Sequence, residues 1–472
     1  EQRSRMLAAG EISLVLTILI GVAIAQAFPF RPVKYGLIAF FAAAVLAQTA
    51  KRPALALALV AFALPAIDLV PPSLFVVRGL NAETILLVFA LVIWVRARQV
   101  YGPDRVSSPL AKILFLYAIV ILVASVRSWM LWKVSLFDIV AAAKNHLIFM
   151  LLLPVAFHTL REKRDQYLLV SACMLSLLLN CFQAINYSWL AFFSGALERH
   201  RAQALIALQP NLLGATLAMY MPVLFVLGWY NTGPRAMRAL MLVTLPCAAF
   251  AMLLTLSRGA WLGIAAGVLV IALLRARVLL ILVLVMAATS QFWVPQQVAD
   301  RVAVTDDVDE DAEVADAALE GSAQMRVEQY KSMWPMMQHH PILGWGYKSF
   351  PVVFERYGTL RRSKGAHTSY VQVGTEAGVV GLAALGLVLV GMLWAGLRAA
   401  LRCEDPFYRW LGVGIVGGTI AMAVSMITGA RFEPQKVFAW FWIMIAIAER
   451  EALLVRDKPR RSDLSVVNLD NS

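Results

Sequence analysis

Charge is what this sequence has least of. Only 15% of its 472 residues are charged while 60% are hydrophobic, and the mean hydropathy is +0.72. A soluble domain of this length would not be so apolar, so the chain reads as a polytopic membrane protein. Cysteine is scarce too. Cys173, Cys181, Cys247 and Cys403 lie in or beside apolar runs and lack CxxC spacing, which excludes a disulfide framework and a zinc site. The little charge present is positive, net +13 with a pI near 9.8. Its basic residues are scattered over short connectors, whereas nucleic-acid binding needs a clustered basic face, so that function is excluded. A cleavable leader is not expected either: the first apolar run, 11–28, lacks a small-residue cleavage site and reads as a retained span.

Long apolar runs are abundant. They fall at 11–27, 33–49, 53–70, 80–96, 110–129, 138–157, 166–192, 207–230, 239–256, 258–274, 277–293, 371–397, 408–428 and 436–452. A span needs about 20 apolar residues, so these runs predict an all-α fold of 12–14 transmembrane helices, the lower number applying if some pieces are re-entrant. An even count puts both termini on one side. Lys and Arg are enriched in cytoplasmic connectors. The alternate connectors carrying Arg3/Arg5, Lys51/Arg52, Arg161/Lys163/Arg164, Arg235/Arg238, Arg275/Arg277, Arg398/Arg402/Arg409 and Arg456 to Arg461 are therefore assigned to the inside.

That assignment leaves Arg78, Arg127, Arg199, Arg201, Arg258 and Arg431 at external span ends. A single such Arg is usually a snorkelling anchor; several converging on one face make an anion site. Gly259, Gly263 and Gly267, like Gly414 and Gly418, form small-residue stripes for close helix packing. Within the sixth run, Asp138, Lys144, Asn145 and His146 are either functional, as intramembrane ionisable groups tend to be, or a structural polar network.

The one large water-facing interruption is the external loop 294–367, far longer than ordinary connections and therefore a candidate for function. Its acidic start, Asp300 to Glu320, lacks the Gly and Glu positions of a calcium loop and reads as a solvated segment. Ser322 to His340 reads as an amphipathic helix with Met325, Tyr330, Met333, Trp334 and Met337 on its apolar face, kinked or broken at Pro335. A turn follows at Pro341-Ile342-Leu343-Gly344-Trp345-Gly346. Adjacent His339 and His340 do not face each other on a helix, which argues against a metal pair. The loop ends at Lys364-Gly365-Ala366-His367-Thr368-Ser369-Tyr370, with His367 at the start of the next span. There a helix N-terminus and nearby cations would stabilise a bound pyrophosphate, and a His could take a proton from an attacking hydroxyl. Glu376 reads as a cap of that helix.

At these residues the sequence resembles the O-antigen ligase and Wzy-type polymerase superfamily of bacterial envelope polysaccharide enzymes. The ligase hallmark is a His, a small polar residue, nine residues and Gly-x-x-Gly. His367-Thr368 followed by Gly378-Val-Val-Gly381 matches it, with Thr368 where Asn, Ser or Gln is usual. Arg326 through Gly346 resembles the family's Arg-rich lead into His-Pro-(Ile/Leu)-Leu-Gly-x-Gly. Arg201-Ala-Gln-Ala…Pro210-Asn211 resembles its Arg-x-x-(small)…Pro-Asn element, and Ser257-Arg258-Gly259 its Ser-Arg-Gly element. The agreement covers residues 200–450; the first 190 residues match only as generic spans.

The resemblance implies a GT-C-like membrane glycosyltransferase of the bacterial inner membrane, with both termini cytoplasmic and the active site periplasmic. It implies inverting, metal-independent transfer, without a cofactor, from a glycan on undecaprenyl pyrophosphate to an acceptor hydroxyl. The acceptor is lipid A–core in a ligase and another lipid-linked glycan in a polymerase; a protein-glycosylating ligase is a third option. Arg201 and Arg326 are expected to clamp the pyrophosphate, Arg258 to be a secondary anion-binding residue, and His367 to be the general base or a phosphate ligand. The corresponding divisions are an N-terminal bundle 1–199, a core 200–293, a periplasmic loop 294–370, C-terminal helices 371–454 and a cytoplasmic tail 455–472. The rival class is a lipid-linked glycan transporter or flippase, which would call for inverted repeats and paired midplane charges.

Overall fold

A computed structural model describes residues 43–45, 47–48, 51–69, 81–104, 106–197, 200–230, 232–275, 327–357 and 365–456. The expected spans 11–27 and 277–293, nearly all of 33–49, the acidic segment, the tail 457–472, Arg78, Arg199 and Arg326 lie outside these residues.

The described chain is helical. In order it forms α1 (Pro53–Ala63), α2 (Ala82–Tyr101), α3 (Pro109–Trp132), α4 (Leu136–Leu147), α5 (Leu152–Thr159), α6 (Lys163–Phe193), α7 (Pro210–Trp229), α8 (Arg235–Leu254) and α9 (Arg258–Leu274). Then come α10 (327–338), α11 (Phe350–Tyr357), α12 (Ser369–Arg402), α13 (Pro406–Ser425) and α14 (Ala439–Arg456). Short 3-10 turns follow α1, join α4 to α5 and precede α14. The starts are written locally: Pro occupies the first turn of α1, α3, α7 and α13, where its missing N–H costs nothing. Asn81, Ser108 and Asp405 cap α2, α3 and α13, each accepting a backbone N–H at 2.9 Å.

Among the described residues, eight stretches are long and apolar enough to cross a membrane: α2, α3, α4 with α5 (Leu136–Thr159), α6, α7, α8, α12 and α13. Pro53–Ile67 and α9 are shorter apolar helices. The protein is thus an all-α, multi-pass membrane protein. Lipid offers no hydrophobic drive to press helices together, so close packing must hold them. The glycine stripes supply it. A Cβ on Gly267 would lie 2.6 Å from the Gly417 carbonyl, and one on Gly263 2.5 Å from that of Ala421, so α9 and α13 touch backbone to backbone. Gly414 and Gly418 do the same toward α7 at Val223 and Met219. Inside this bundle runs α14, whose residues Trp440 to Ala448 are all at most 1% exposed. Trp440 donates its indole N–H to Ala61 of α1 at 2.7 Å, satisfying the polar handle of a buried ring.

The bundle has two ends. At one, buried Asp104 takes Arg450 at 3.0 Å and Arg161 at 3.2 Å, and Lys163 pairs with Asp405. Glu449 accepts the Leu110 N–H at the α3 start at 3.0 Å, and Arg275 reaches the Ala400 carbonyl. Arg161, Lys163, Arg275 and Arg409, which belong to connectors read above as inner, lie at this end. At the other end lie the α3 C-terminus, the starts of α4, α7, α9 and α12, and the 327–357 segment.

Candidate functional site

The site end is shaped by a broken helix. α12 is interrupted at Gly378 (φ 66°, ψ −159°), a conformation for which glycine is the suitable residue. The turn Pro341–Gly346 sits in the break and takes over its hydrogen bonds. Trp345 and Gly346 donate to the Thr375 and Glu376 carbonyls at 2.9 Å each; Val379 and Val380 donate to Pro341 and Ile342 at 2.8 and 3.2 Å. Contact is so close that a Cβ on Gly344 would stand 2.5 Å from the Ala377 nitrogen. The two motifs that carry the resemblance are therefore one structural joint. Arg127, at the end of α3, ties the turn down: its Nε donates to the Gly344 carbonyl at 2.5 Å, and its Nη2 lies 2.9 Å from His340 Nδ1. Burial, then the charge of Arg127 and His339, lowers the His340 pKa from its ordinary value, consistent with a neutral ring accepting at Nδ1.

α10 differs from the expected helix in two ways. It runs through Pro335 without ending there, to residue 338. Its inward stripe is Gln329, Ser332, Met333, Met336 and Met337, while Val327, Tyr330 and Trp334 are exposed. Periodicity locates an apolar face but not whether protein or lipid covers it. The buried stripe packs with Trp345, Phe350, Phe354 and Val371 into a small core beneath the loop.

His367 lies just before α12 and its side chain is exposed. Its backbone is fixed, because the His367 N–H donates to Gln329 Oε1 at 2.7 Å while Gln329 Nε2 donates to the Gly365 carbonyl at 3.2 Å. Thr368, the departure from the family pattern, is fully buried, its hydroxyl 2.9 Å from that of Tyr330. Next to it, Ser369 Oγ accepts the N–H groups of Arg431 and Phe432 at 2.8 and 3.2 Å and donates to the Gly429 carbonyl at 3.1 Å. The histidine segment is thereby joined to the loop carrying Arg431.

The arginines come to the same end. Arg201, half-buried, donates from Nε to the Thr255 carbonyl at 2.7 Å and from Nη2 to Asn211 Oδ1 at 2.6 Å. The Arg and the Pro-Asn of one sequence element thus meet directly, Asn211 orienting the guanidinium. Thr255 leads through Leu256, a non-glycine residue at φ 49°, to Arg258 at the start of α9. Gly259 then packs against Thr428, and the Ser425 hydroxyl donates to its carbonyl at 3.1 Å. A continuous set of contacts therefore links Arg201, Arg258, the Arg431 loop and the His367 segment; Arg127 belongs to the turn instead. Arg326 is outside the described residues.

Behind these residues opens a cavity of about 760 Å³ between α4, residues 206–212, the Tyr347–Pro351 turn, Gly365–Ala366, α12 and residues 430–437. Sequence reading overlooked most of its polar wall. Glu376 does not cap the start of α12 as expected: it is 4% exposed and accepts hydrogen bonds from the Lys348 and Phe350 backbone N–H groups. Those donors come from a separate loop, so no spacing rule could reveal them. Lys348 holds φ 65°, a costly conformation for a side-chain-bearing residue, and pairs with Glu433, which also accepts from Gln372 Nε2 at 2.9 Å. About half of the Lys348 side-chain surface is open, at the cavity; burial of the rest lowers its pKa, opposed by the Glu376 charge. Tyr347 is pushed the other way, its phenol raised by burial. His146 lies between the Tyr117 hydroxyl (3.1 Å from Nε2) and the Glu433 carbonyl (2.9 Å from Nδ1), so both ring nitrogens are engaged. Lys144 and Asn145 bond with Thr84 and Asn81 of α2, at 2.7 and 3.3 Å, making a polar network.

The O-antigen ligase family pattern matches residues 242–386, from within α8 to past the break in α12. This supports the resemblance read from the sequence; the match takes in Arg258, Arg326, His367 and Gly378 and leaves out Arg201 and Arg431. No curated protein matches the chain.

Proposed function

We propose that this chain, with the O-antigen ligase pattern over its centre, transfers a glycan from undecaprenyl pyrophosphate to an acceptor hydroxyl at the outer face of the inner membrane. The observation that carries the reading is the set of contacts joining the exposed His367 to Arg201, Arg258 and the Arg431 loop at one end of the bundle. The acceptor oxygen attacks the anomeric carbon, its proton passes to the His367 imidazole, and the bond to the pyrophosphate oxygen breaks with inversion. Arg201 and Arg326 hold the charge that develops on the departing pyrophosphate, with Arg258 as a secondary anion contact. Two guanidiniums can supply the charge stabilisation that a divalent cation provides elsewhere. The described inner-type residues Arg161, Lys163, Arg275 and Arg409 at the opposite end support a cytoplasmic placing of that end, and hence a periplasmic His367. In this reading residues 294–370 are a periplasmic loop beside the site, residues 1–199, 200–293 and 371–454 are the scaffold, and the tail 455–472 and both termini are cytoplasmic.

Lipid A–core is the acceptor we favour, which makes the chain a ligase; extension of a second lipid-linked repeat, as by a Wzy-type polymerase, differs only in acceptor. Purified protein in detergent with EDTA, given undecaprenyl-pyrophosphate glycan and each acceptor separately, tests this. We expect transfer to lipid A–core that is lost in His367→Ala. Transfer only to the lipid-linked repeat would make it a polymerase. No transfer to either, or full activity of the variant, would overturn the mechanism.

A further inference from the structure

The groups that could take part in transfer are divided by charge. The candidate anion contacts are guanidiniums on the α7, α9 and α13 side. The cavity wall carries three carboxylates (Glu83, Glu376, Glu433) against two ammoniums (Lys348, Lys436), and no guanidinium among the described residues. A wall whose carboxylates offset its ammoniums lacks the concentrated positive charge that binding a diphosphate needs. What it does offer is donors and acceptors of both kinds, from the Lys348–Glu433 pair, Gln372, Asn145, Gln209 and Gln435, beside the rings of Tyr347 and Phe149. About 760 Å³ is within the range of small-ligand sites, which run from about 300 to 1,000 Å³. Mixed hydrogen-bonding groups with an aromatic face suit a molecule of many hydroxyls and little charge.

We propose that this cavity is a saccharide subsite, binding an uncharged, hydroxyl-rich glycan apart from the pyrophosphate. Gly365 and Ala366, two and one residues before His367, line it, so a sugar seated there lies beside the segment that carries the proposed base. Glu433 accepts from sugar hydroxyls and Lys348 donates to them. The strained Lys348 backbone, fixed by Glu376, is what turns that ammonium into the cavity. His146, with both nitrogens engaged, shapes the wall and does not compete with His367 for the proton. This inference rests on the proposed transferase reading only for which glycan is meant, the acceptor or the sugar end of the donor.

Ligand-observed NMR on the full-length protein in detergent tests it without requiring turnover. The probes are a dephosphorylated core oligosaccharide freed of lipid A, standing for the acceptor, and a repeat-unit oligosaccharide released from its pyrophosphate, standing for the donor. The variants are Glu433→Gln, which removes one acceptor charge, and Ala142→Phe, which fills the cavity from α4. Unchanged thermal melting shows that the variants fold. We expect one probe to bind wild type saturably, at least tenfold more weakly to Ala142→Phe and several-fold more weakly to Glu433→Gln, and without competition from inorganic pyrophosphate. Binding of the core probe identifies the acceptor as the occupant, and binding of the repeat probe the donor glycan. Neither probe binding, equal binding to Ala142→Phe, or displacement by pyrophosphate overturns the subsite. Because transfer is assayed separately, loss of the subsite with transfer intact, and the converse, are distinguishable.

Discussion

Arg127 and Gly344 are joined across more than two hundred residues of sequence by a hydrogen bond of 2.5 Å from a guanidinium to a carbonyl, in the same place where Arg127 also meets His340. One planar side chain thus fastens the turn that plugs the break in α12. A charged hydrogen bond contributes about 1.5–3 kcal/mol, so Arg127→Ala should free the turn while the bundle stays folded. Hydrogen exchange over residues 341–346 should rise by tenfold or more, and transfer activity should fall. Arg127→Lys should rescue little, because a single ammonium does not match two acceptors in a fixed fork. Unchanged exchange in both variants would show the tie to be incidental.

The same contact makes the turn sensitive to acid. Depression of the His340 pKa means that the docked turn prefers the neutral ring, whereas the undocked ring titrates near about 6.5. Docking stability is therefore pH-independent above that value and is lost as pH falls from it toward the depressed docked value, where the undocked state gains the proton first. Exchange over 341–346, corrected for intrinsic rates, should accelerate from pH 7 to 5 in wild type. His340→Asn, whose side-chain oxygen can accept from Arg127 without titrating, should be flat over that range. A flat wild-type profile would refute the link.

Gly378 and Gly386 lie in one helix and should respond oppositely to alanine. At Gly378 a Cβ would meet the Ile342 carbonyl group at about 2.5 Å, in a backbone conformation closed to side chains. Gly378→Ala should cost more than about 3 kcal/mol, combining strain with lost docking, and abolish activity. Gly386 has nothing within 4 Å of a Cβ, so Gly386→Ala should be neutral or stabilise by up to about 1 kcal/mol. Thermal melting and transfer assays of the two proteins decide the matter.

What could be read from the sequence divides along a physical line. Apolar runs and Pro, Asn and Ser starts are local signals, and the helices from α2 through α9 and from α12 to α14 appear where those signals lie. The glycine stripes were legible as close contacts because any small-residue spacing at i, i+4 must face something. Partners were not legible. Nothing local says that Gly344 fits against Ala377, that Asn211 holds Arg201, or that Glu376 serves the Lys348 turn and not its own helix. The cavity wall was missed for the same reason: Lys348, Gln372 and Glu433 are ordinary residues in three separate segments, and only their meeting makes them a site.

Arg201 has two roles that a single substitution would confuse. It fastens Thr255 and Asn211, which is structural, and we assign it to the departing pyrophosphate, which is catalytic. Arg201→Ala should lower kcat by about a hundredfold or more, as when a transition-state donor is removed, and also lower the melting temperature. Asn211→Ala separates the two effects. It removes the 2.6 Å partner of Nη2 while leaving the guanidinium charge and its bond to Thr255. If Arg201 acts on the leaving group, Asn211→Ala should reduce kcat by about tenfold through loss of orientation alone, with inhibition by inorganic pyrophosphate retained. Arg201→Ala should lose that inhibition as well. Retention of pyrophosphate inhibition in Arg201→Ala would leave Arg201 a packing residue and move the clamp to Arg258 and Arg326.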